Sequence, residues 1–334
     1  MRDTGGRRDP TMNPDHTRVT SRLLLTRARA LKRHLPGAVS GDDHGVHQAR
    51  VATRRLREAM PVLADGVKGA KAGKARKKVG KLTRALGAVR ETDVTLQILA
   101  EMAQAGKLPR MAIEEVRTHV VAERDRRRDV MLKRLHRVDA EKLGRRLASV
   151  ADALQQSDSN KWRDTLSSRL TKRSRRLAER VAEAGQMYAP DRLHEVRIAA
   201  KKLRYALELA ADSRTSGAAS LLRPIKRAQD LLGRLHDLQV LQSLVAEAQG
   251  GPGADRPGMH AALDAVARQV EDECRYLHAR YLMSASTLVE ICERVGQEVI
   301  PALQAPPVQR ALKRVTSTGS TARKGVRAAG GTTR

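Results

Sequence analysis

The sequence predicts an all-α protein made of two pseudo-symmetric antiparallel four-helix bundles. Nearly every periodic stretch has helical spacing, and the abundant residues (Ala, Leu, Arg, Lys, Glu and Gln) are strong helix formers. Gly and Pro are concentrated at a few points between these stretches, and signals for β-strands are almost absent. A basic run at residues 47–57 recurs at residues 194–204, which indicates two related halves.

The periodicity predicts helices in the same order in both halves. In the first half, residues 17–155, we expect helices at about 17–35, 44–65, 70–104 and 110–137 and a shorter one near 140–155. In the second half, residues 162–303, we expect helices at about 162–184, 191–212, 218–249 and 258–283 and a shorter one near 286–303. Residues 1–16 and the basic tail 304–334 contain too few apolar residues to form a core, so we predict that both are disordered.

Two motifs carry the repeat. The first is an eleven-residue cassette, HQARVATRRLR at 47–57 and HEVRIAAKKLR at 194–204. The second follows each cassette as LGAVRETDV at 86–94 and LGRLHDLQV at 232–240. The offset between copies is 147 positions for the first motif and 146 for the second, so we infer an internal duplication and two bundles related by a pseudo-two-fold axis.

Each cassette is predicted to form an amphipathic helix. At about 100° per residue, one side carries a column of cations: His47, Arg50, Arg54 and Arg57 in the first copy, and His194, Arg197, Lys201 and Arg204 in the second. The other side carries an apolar stripe: Ala49, Ala52, Leu56, Ala59 and Met60, and then Val196, Ala199, Leu203, Ala206 and Leu207. Because like charges four residues apart repel and almost no acidic residue lies within either cassette, we expect an external polyanion to neutralise the two columns.

The net charge and the scarcity of aromatic residues narrow the choice of polyanion. The chain has 65 Lys and Arg against 37 Asp and Glu, a net charge of +28. Such a charge favours nucleic acid, an anionic membrane surface or a phosphate polymer as partner. With no Phe, one Trp and four Tyr, the chain has few rings on which to stack nucleic-acid bases. No apolar run reaches the length of a membrane span, so we expect no membrane insertion.

The motif search favours a protein without catalytic or cofactor chemistry. The sequence contains no P-loop, GxGxxG, HExxH, EF-hand or GxSxG motif, so we predict neither an enzyme nor a bound cofactor. His44 and His47, with Asp42 and Asp43, have the composition of a metal site but no fixed ligand spacing, so no metal is predicted. A phosphohistidine at His47 or His194 lacks a visible orienting carboxylate, so each histidine is interpreted as a hydrogen-bonding partner of a packed neighbour or of the ligand.

The remaining reactive side chains have structural interpretations. Glu91, Asp93 and Asp237, close to the second motif, are interpreted as caps or salt-bridge partners of the basic helices. Cys274 and Cys292 fit no CxxC spacing and are predicted to be free thiols, which favours a reducing cytoplasm.

Together, the two doubled motifs resemble the CHAD family, the conserved histidine α-helical domains. The resemblance covers about residues 17–303 and implies basic helices lining a central cavity, binding of long-chain inorganic polyphosphate, and association with polyphosphate granules. Carried over by motif, the expected polyphosphate-binding residues are His47, Arg50, Arg54, Arg55, Arg57, His194, Arg197, Lys201, Lys202 and Arg204. The basic residues of the following helices, Lys78, Lys81, Arg223, Lys226 and Arg227, are expected to line the same channel.

The chain departs from the family pattern in two respects. It has RETD at 90–93, where the family often has RDLD, and it lacks the E-x-E-x-K strand of the triphosphate tunnel enzymes that often precede this domain. We therefore expect non-enzymatic polyphosphate binding without triphosphatase activity. The alternative is a nucleoid-type protein that binds DNA or RNA with the same basic surface.

Overall fold

The computed structural model describes residues 14–65, 67, 70–156 and 161–305, and all the regular structure in these ranges is helical. The α-helices are α1 Pro14–Ser40, α2 Asp43–Leu63, α3 Ala70–Ala85, α4 Gly87–Ala105, α5 Arg110–His136, α6 Ala140–Gln155, α7 Lys161–Ala184, α8 Pro190–Asp212, α9 Ala218–Gln249, α10 Met259–Arg294 and α11 Ile300–Gln304. The all-α prediction is confirmed. Of the termini predicted to be disordered, residues 1–13 and 306–334 lie outside the described residues, while α1 begins at Pro14.

The helix predicted over 70–104 is divided in two. Leu86 separates α3 from α4 with φ −71° and ψ −9°, and its amide still donates to the carbonyl of Leu82 at 3.0 Å. The equivalent Leu-Gly pair of the second half, Leu232 and Gly233, lies inside the unbroken α9. The same dipeptide therefore ends a helix in one half and not in the other, and the internal duplication remains a prediction.

The C-terminal helices also differ from the prediction. Residues 259–294 contain neither Gly nor Pro, and they form the single helix α10 where two helices were predicted. A π-helical turn, Val295–Val299, follows before α11. Within the described ranges, no helix is both long and apolar enough to span a membrane.

The helices pack as two groups that meet along a long junction. In the first group, α1 packs on α2 and α6, α3 packs on α2 and α6, and α4 packs on α5. In the second group, α7 and α9 flank α8, and α10 packs on both α7 and α9. The junction is formed by contacts of α2 with α8, of α4 with α9 and of α5 with α10. The cassette helices α2 and α8 are thus brought face to face.

The start of α2 is fixed by a close backbone approach. Gly45 lies so near α1 that a Cβ atom there would come within 2.6 Å of the Gly37 carbonyl carbon. The Asp42 side chain caps the helix, accepting a hydrogen bond from the Gly45 amide at 2.6 Å. His47 lies two residues further along α2, so these local contacts fix the position of the first cassette relative to α1.

Candidate functional site

The apolar stripes of α2 and α8 determine which way the cations point. All ten residues predicted for the two stripes are buried, from Ala49 to Met60 in α2 and from Val196 to Leu207 in α8. This part of the helical-wheel prediction is confirmed. Burying a leucine side chain contributes about 2 kcal/mol, so the core holds each helix in one rotational setting. The opposite sides, which carry the cations, are therefore turned towards the junction between the two groups of helices.

Five cations from three helices form one group at this junction, the central cationic cluster: Arg50 and Arg54 of α2, Arg90 of α4, and Arg197 and Lys201 of α8. All five side chains are partly buried. Among the described residues, no carboxylate lies within ion-pair distance of any of them. Elsewhere most part-buried arginines do have such partners, so the cluster is a concentration of charge for which the described residues supply no ion pair.

Burial and mutual repulsion destabilise the charged forms of the cluster residues. Burial, together with three neighbouring guanidinium groups, lowers the pKa of the Lys201 amine to about 7. Burial lowers the pKa of Arg50 to about 10, with the charge of Arg54 as the next cause. Burial also lowers the pKa of Arg197, although the carboxylate of Asp237 acts in the opposite direction. An anion bound between these groups would relieve the repulsion and stabilise their charged forms.

Three imidazoles lie beside the cluster and contribute little charge at neutral pH. Burial lowers the pKa values of His47 and His194, and that of His236 to about 4, with nearby guanidinium groups as the next cause in each case. The Nδ1 atoms of His194 and His236 lie 3.2 Å apart, so one ring donates a hydrogen bond to the other. His194 thus has the packed hydrogen-bonding neighbour predicted for the cassette histidine. The positive charge of the site therefore comes from Arg and Lys.

The nearby carboxylates neutralise other groups. Glu91 pairs with Arg127 at 3.0 Å, and Asp93 pairs with Arg124 at 2.7 Å. Their interpretation as salt-bridge partners is confirmed. Asp237 of α9 is partly buried near the cluster, and burial raises the pKa of its carboxyl group although the surrounding cations lower it. One carboxylate cannot balance five cations, so the cluster keeps a net positive charge.

A cavity of about 240 Å³ opens on the α2 and α4 side of the cluster. Its lining includes the cluster residues Arg50 and Arg90, together with His47. The acidic residues at its wall, Asp43 and Asp93, are both engaged by Arg124. At about 30 Å³ for each water molecule, this volume is equivalent to about eight waters. Partly desolvated phosphate groups fit such a space, whereas a nucleic-acid duplex does not.

The other predicted binding residues do not share the environment of the cluster. Four of them are ion-paired: Arg55 with Glu208 at 3.1 Å, Arg57 with Glu58 at 3.4 Å, Arg204 with Glu208 at 2.6 Å, and Lys226 with Asp230 at 2.6 Å. Five are exposed and, within the described part of the chain, have no carboxylate partner: Lys78, Lys81, Lys202, Arg223 and Arg227. Four of the fifteen predicted binding residues thus belong to the cluster, and both the channel and its binding residues remain predictions.

Two residues at the site were not predicted as binding residues. Arg90 is a member of the cluster, and His236 contacts the first histidine of the second cassette. Both occupy the same position of the second motif, five letters into LGAVRETDV and LGRLHDLQV. The presence of a basic residue at that position in both copies was the signal that could have identified them.

Metal binding near the start of α2 is not supported by the arrangement of its acidic residues. Asp42 is engaged as the cap of α2, and Asp43 pairs with Arg124 at 3.0 Å and with Arg128 at 2.8 Å. Among the residues that the structure describes, no group of three or more His, Cys, Asp or Glu side chains could hold a metal ion. Cys274 and Cys292 are free and buried, as predicted.

Comparisons with known proteins agree with this architecture. The chain matches the family model described as CHAD domain over residues 22–246. The crystal structure of the CHAD domain from the plant Ricinus communis is 23% identical, with coverage of 87% of this chain and 92% of that chain and a TM-score of 0.54. PptA from Streptomyces chartreusis is 15% identical, with coverage of 80% and 98% and a TM-score of 0.58. At these identities the structural likenesses support the fold, and a comparison with curated proteins finds no significant match.

Proposed function

This chain belongs to the CHAD domain family, and we propose that it binds long-chain inorganic polyphosphate, without catalysis, in the central cationic cluster. The observation that carries the proposal is the set of five partly buried cations for which the described part of the chain supplies no ion pair. The net charge of +28 indicates the same class of ligand. A polyanion is the ligand that offsets this charge most directly.

The cluster favours a thin, flexible anion over a duplex. Guanidinium groups of Arg50, Arg54, Arg90 and Arg197 can each donate two parallel hydrogen bonds to phosphate oxygens. A single phosphate chain can enter the cavity of about 240 Å³ beside Arg50 and Arg90, whereas a nucleic-acid duplex is a wide, rigid cylinder that reaches only an open surface. The scarcity of aromatic rings also disfavours recognition of single-stranded bases.

The exposed cations outside the cluster extend the proposed path of the chain. Lys78, Lys81, Lys202, Arg223 and Arg227 are free to contact phosphates on either side of the central segment. For Arg55, Arg57, Arg204 and Lys226, contact with polyphosphate requires exchange of an existing carboxylate partner. A protein that neutralises phosphates in this way is suited to association with polyphosphate granules in the cytoplasm.

A competitive titration tests the ligand class. Long-chain polyphosphate and duplex DNA are titrated separately at the same physiological salt concentration. We expect polyphosphate to bind more tightly by at least about a hundred-fold, because the cluster cations are partly buried and a flexible chain reaches them more readily than a rigid duplex does. Equal affinities would support the alternative, a nucleoid-type protein that binds DNA or RNA with its surface charge.

A pair of charge-matched variants tests the location. Arg54→Glu with Lys201→Glu reverses two charges inside the cluster, whereas Lys133→Glu with Arg268→Glu reverses two exposed charges on α5 and α10. Both variants have the same formal net charge, so a large difference between them reports position and not total charge. We expect the first variant to lose polyphosphate binding and the second to retain most of it, with helical content preserved in both by circular dichroism. Equal losses in the two variants would refute a cluster site.

A further inference from the structure

The two cassettes differ at one position of the cluster. Arg54 in the first copy corresponds to Lys201 in the second. A guanidinium group stays protonated throughout the physiological range, while an amine can lose its proton and become a nucleophile. The cluster therefore contains one group that is able to react covalently, and this group lies among arginines.

The surroundings of Lys201 favour the unprotonated amine. Its side chain is partly buried, and no carboxylate of the described residues lies within ion-pair distance. Burial disfavours its positive charge most, and the guanidinium groups of Arg197, Arg54 and Arg50 add to this effect by repelling that charge. With its pKa at about 7, more than half of the amine is unprotonated at pH 7.5, against about one part in a thousand for an ordinary lysine.

The same arginines are suited to hold the phosphate of a reactive reagent. We propose that Lys201 is an acylation site for acyl phosphates, the mixed anhydrides of a carboxylic acid and phosphoric acid, with Arg54 and Arg197 holding the phosphate group. The Lys201 Nζ lone pair attacks the carbonyl carbon, and the bond between that carbon and the bridging phosphate oxygen breaks. Inorganic phosphate leaves, the nitrogen loses one proton to solvent, and an amide remains; nothing is oxidised or reduced.

Acylation replaces a titratable cation with a neutral amide inside the cluster. The modified protein holds one fewer positive charge against a bound polyanion, so an acyl phosphate would lower polyphosphate affinity. The acylation site requires, in common with the proposed function, only that the cluster binds phosphate groups.

The test compares two acetylating reagents on the full chain at pH 7.5. Acetyl phosphate carries the phosphate that the arginines recognise, whereas the N-hydroxysuccinimide ester of acetic acid does not. Acetylation at Lys201 and at the exposed Lys133 is quantified by peptide mass spectrometry, with Lys201→Arg as the control that removes the reactive amine. The larger unprotonated fraction of Lys201 is partly offset by its weaker intrinsic nucleophilicity and by the rise of its pKa when the phosphate binds. We expect acetyl phosphate to label Lys201 at least about ten-fold faster than Lys133.

Two results would overturn the inference. One is labelling of Lys201 by acetyl phosphate no faster than labelling of Lys133. The other is an equal preference for Lys201 with both reagents, which would mean a reactive amine without phosphate recognition. Polyphosphate binding is titrated separately on the unmodified protein, so loss of the proposed function and loss of the acylation site give different results.

Discussion

The affinity for polyphosphate should depend on pH through Lys201. The free amine has a pKa of about 7, so it is about nine-tenths protonated at pH 6 and about one-tenth protonated at pH 8. A bound phosphate chain favours the protonated form at both pH values. The apparent Kd should therefore rise about ten-fold from pH 6 to pH 8, equivalent to about 1.4 kcal/mol. Binding at pH 8 should be accompanied by uptake of close to one proton.

Other titrating groups beside the cluster make a control variant necessary. Burial lowers the pKa values of His47 and His194, lowers that of His236 to about 4, and raises the pKa of the Asp237 carboxyl group. These groups are retained in Lys201→Arg, which keeps a permanent positive charge at position 201. We therefore expect the variant to show a much smaller change in Kd between pH 6 and pH 8.

The assay is a calorimetric titration of long-chain polyphosphate at constant ionic strength. Two buffers with different ionisation enthalpies give the number of protons taken up on binding. If the wild type and Lys201→Arg show the same pH dependence and the same proton uptake, then Lys201 does not titrate in the way its surroundings indicate.

The lowered pKa of Lys201 also predicts how the stability of the protein changes with pH. Between about pH 7 and the ordinary lysine value, the unfolded chain binds a proton at Lys201 that the folded protein does not. The contribution of Lys201 to the free energy of unfolding therefore rises with pH through this window. Urea titrations of the wild type and of Lys201→Met at pH 7 and pH 9 isolate this contribution, and a wild-type stability that falls relative to the variant would contradict the sign.

Three further predictions concern packing and charge. Arg173→Met removes the nearer ion-pair partner of Glu58, at 2.6 Å in a pair that is more than four-fifths buried, and leaves that carboxylate only Arg57 at 3.4 Å. It should cost about 2 kcal/mol in urea unfolding, while Arg175→Met at an exposed site should cost less than about 0.5 kcal/mol. Gly45→Ala should lower the Tm because its Cβ would meet the α1 backbone at 2.6 Å, whereas Gly144→Ala, with nothing within 4 Å, should raise the free energy of unfolding by up to about 1 kcal/mol. Log affinity for polyphosphate should fall with log salt by about 0.7 for each phosphate contact, and Arg90→Gln should reduce that slope by about one contact; an unchanged slope would place Arg90 outside the site.

The sequence alone was sufficient to predict the all-α class, most of the helices and the two sides of each cassette. Helical periodicity is a local property. The spacing was therefore enough to predict that Leu56 and Leu203 are buried and that Arg54 and Lys201 lie on the opposite sides of their helices. The doubled motifs also indicated the CHAD family, which the match over residues 22–246 supports. These results depend on residues close together in the chain.

The tertiary structure decided which cations stay unpaired. Arg54 and Arg55 are adjacent in sequence, yet Arg55 reaches Glu208 of α8 while Arg54 faces the other cations of the cluster. α3 and α4 are separated at Leu86, a break that the same Leu-Gly pair does not produce in α9, and Arg90 of α4 lies near Arg50 of α2 in the cluster. Ion pairing and helix breaks of this kind depend on which distant helices become neighbours, and Glu208 lies 153 residues from Arg55 along the chain. Local periodicity carries no information about such contacts, so the column of cations was visible in the sequence and the five-residue cluster was not.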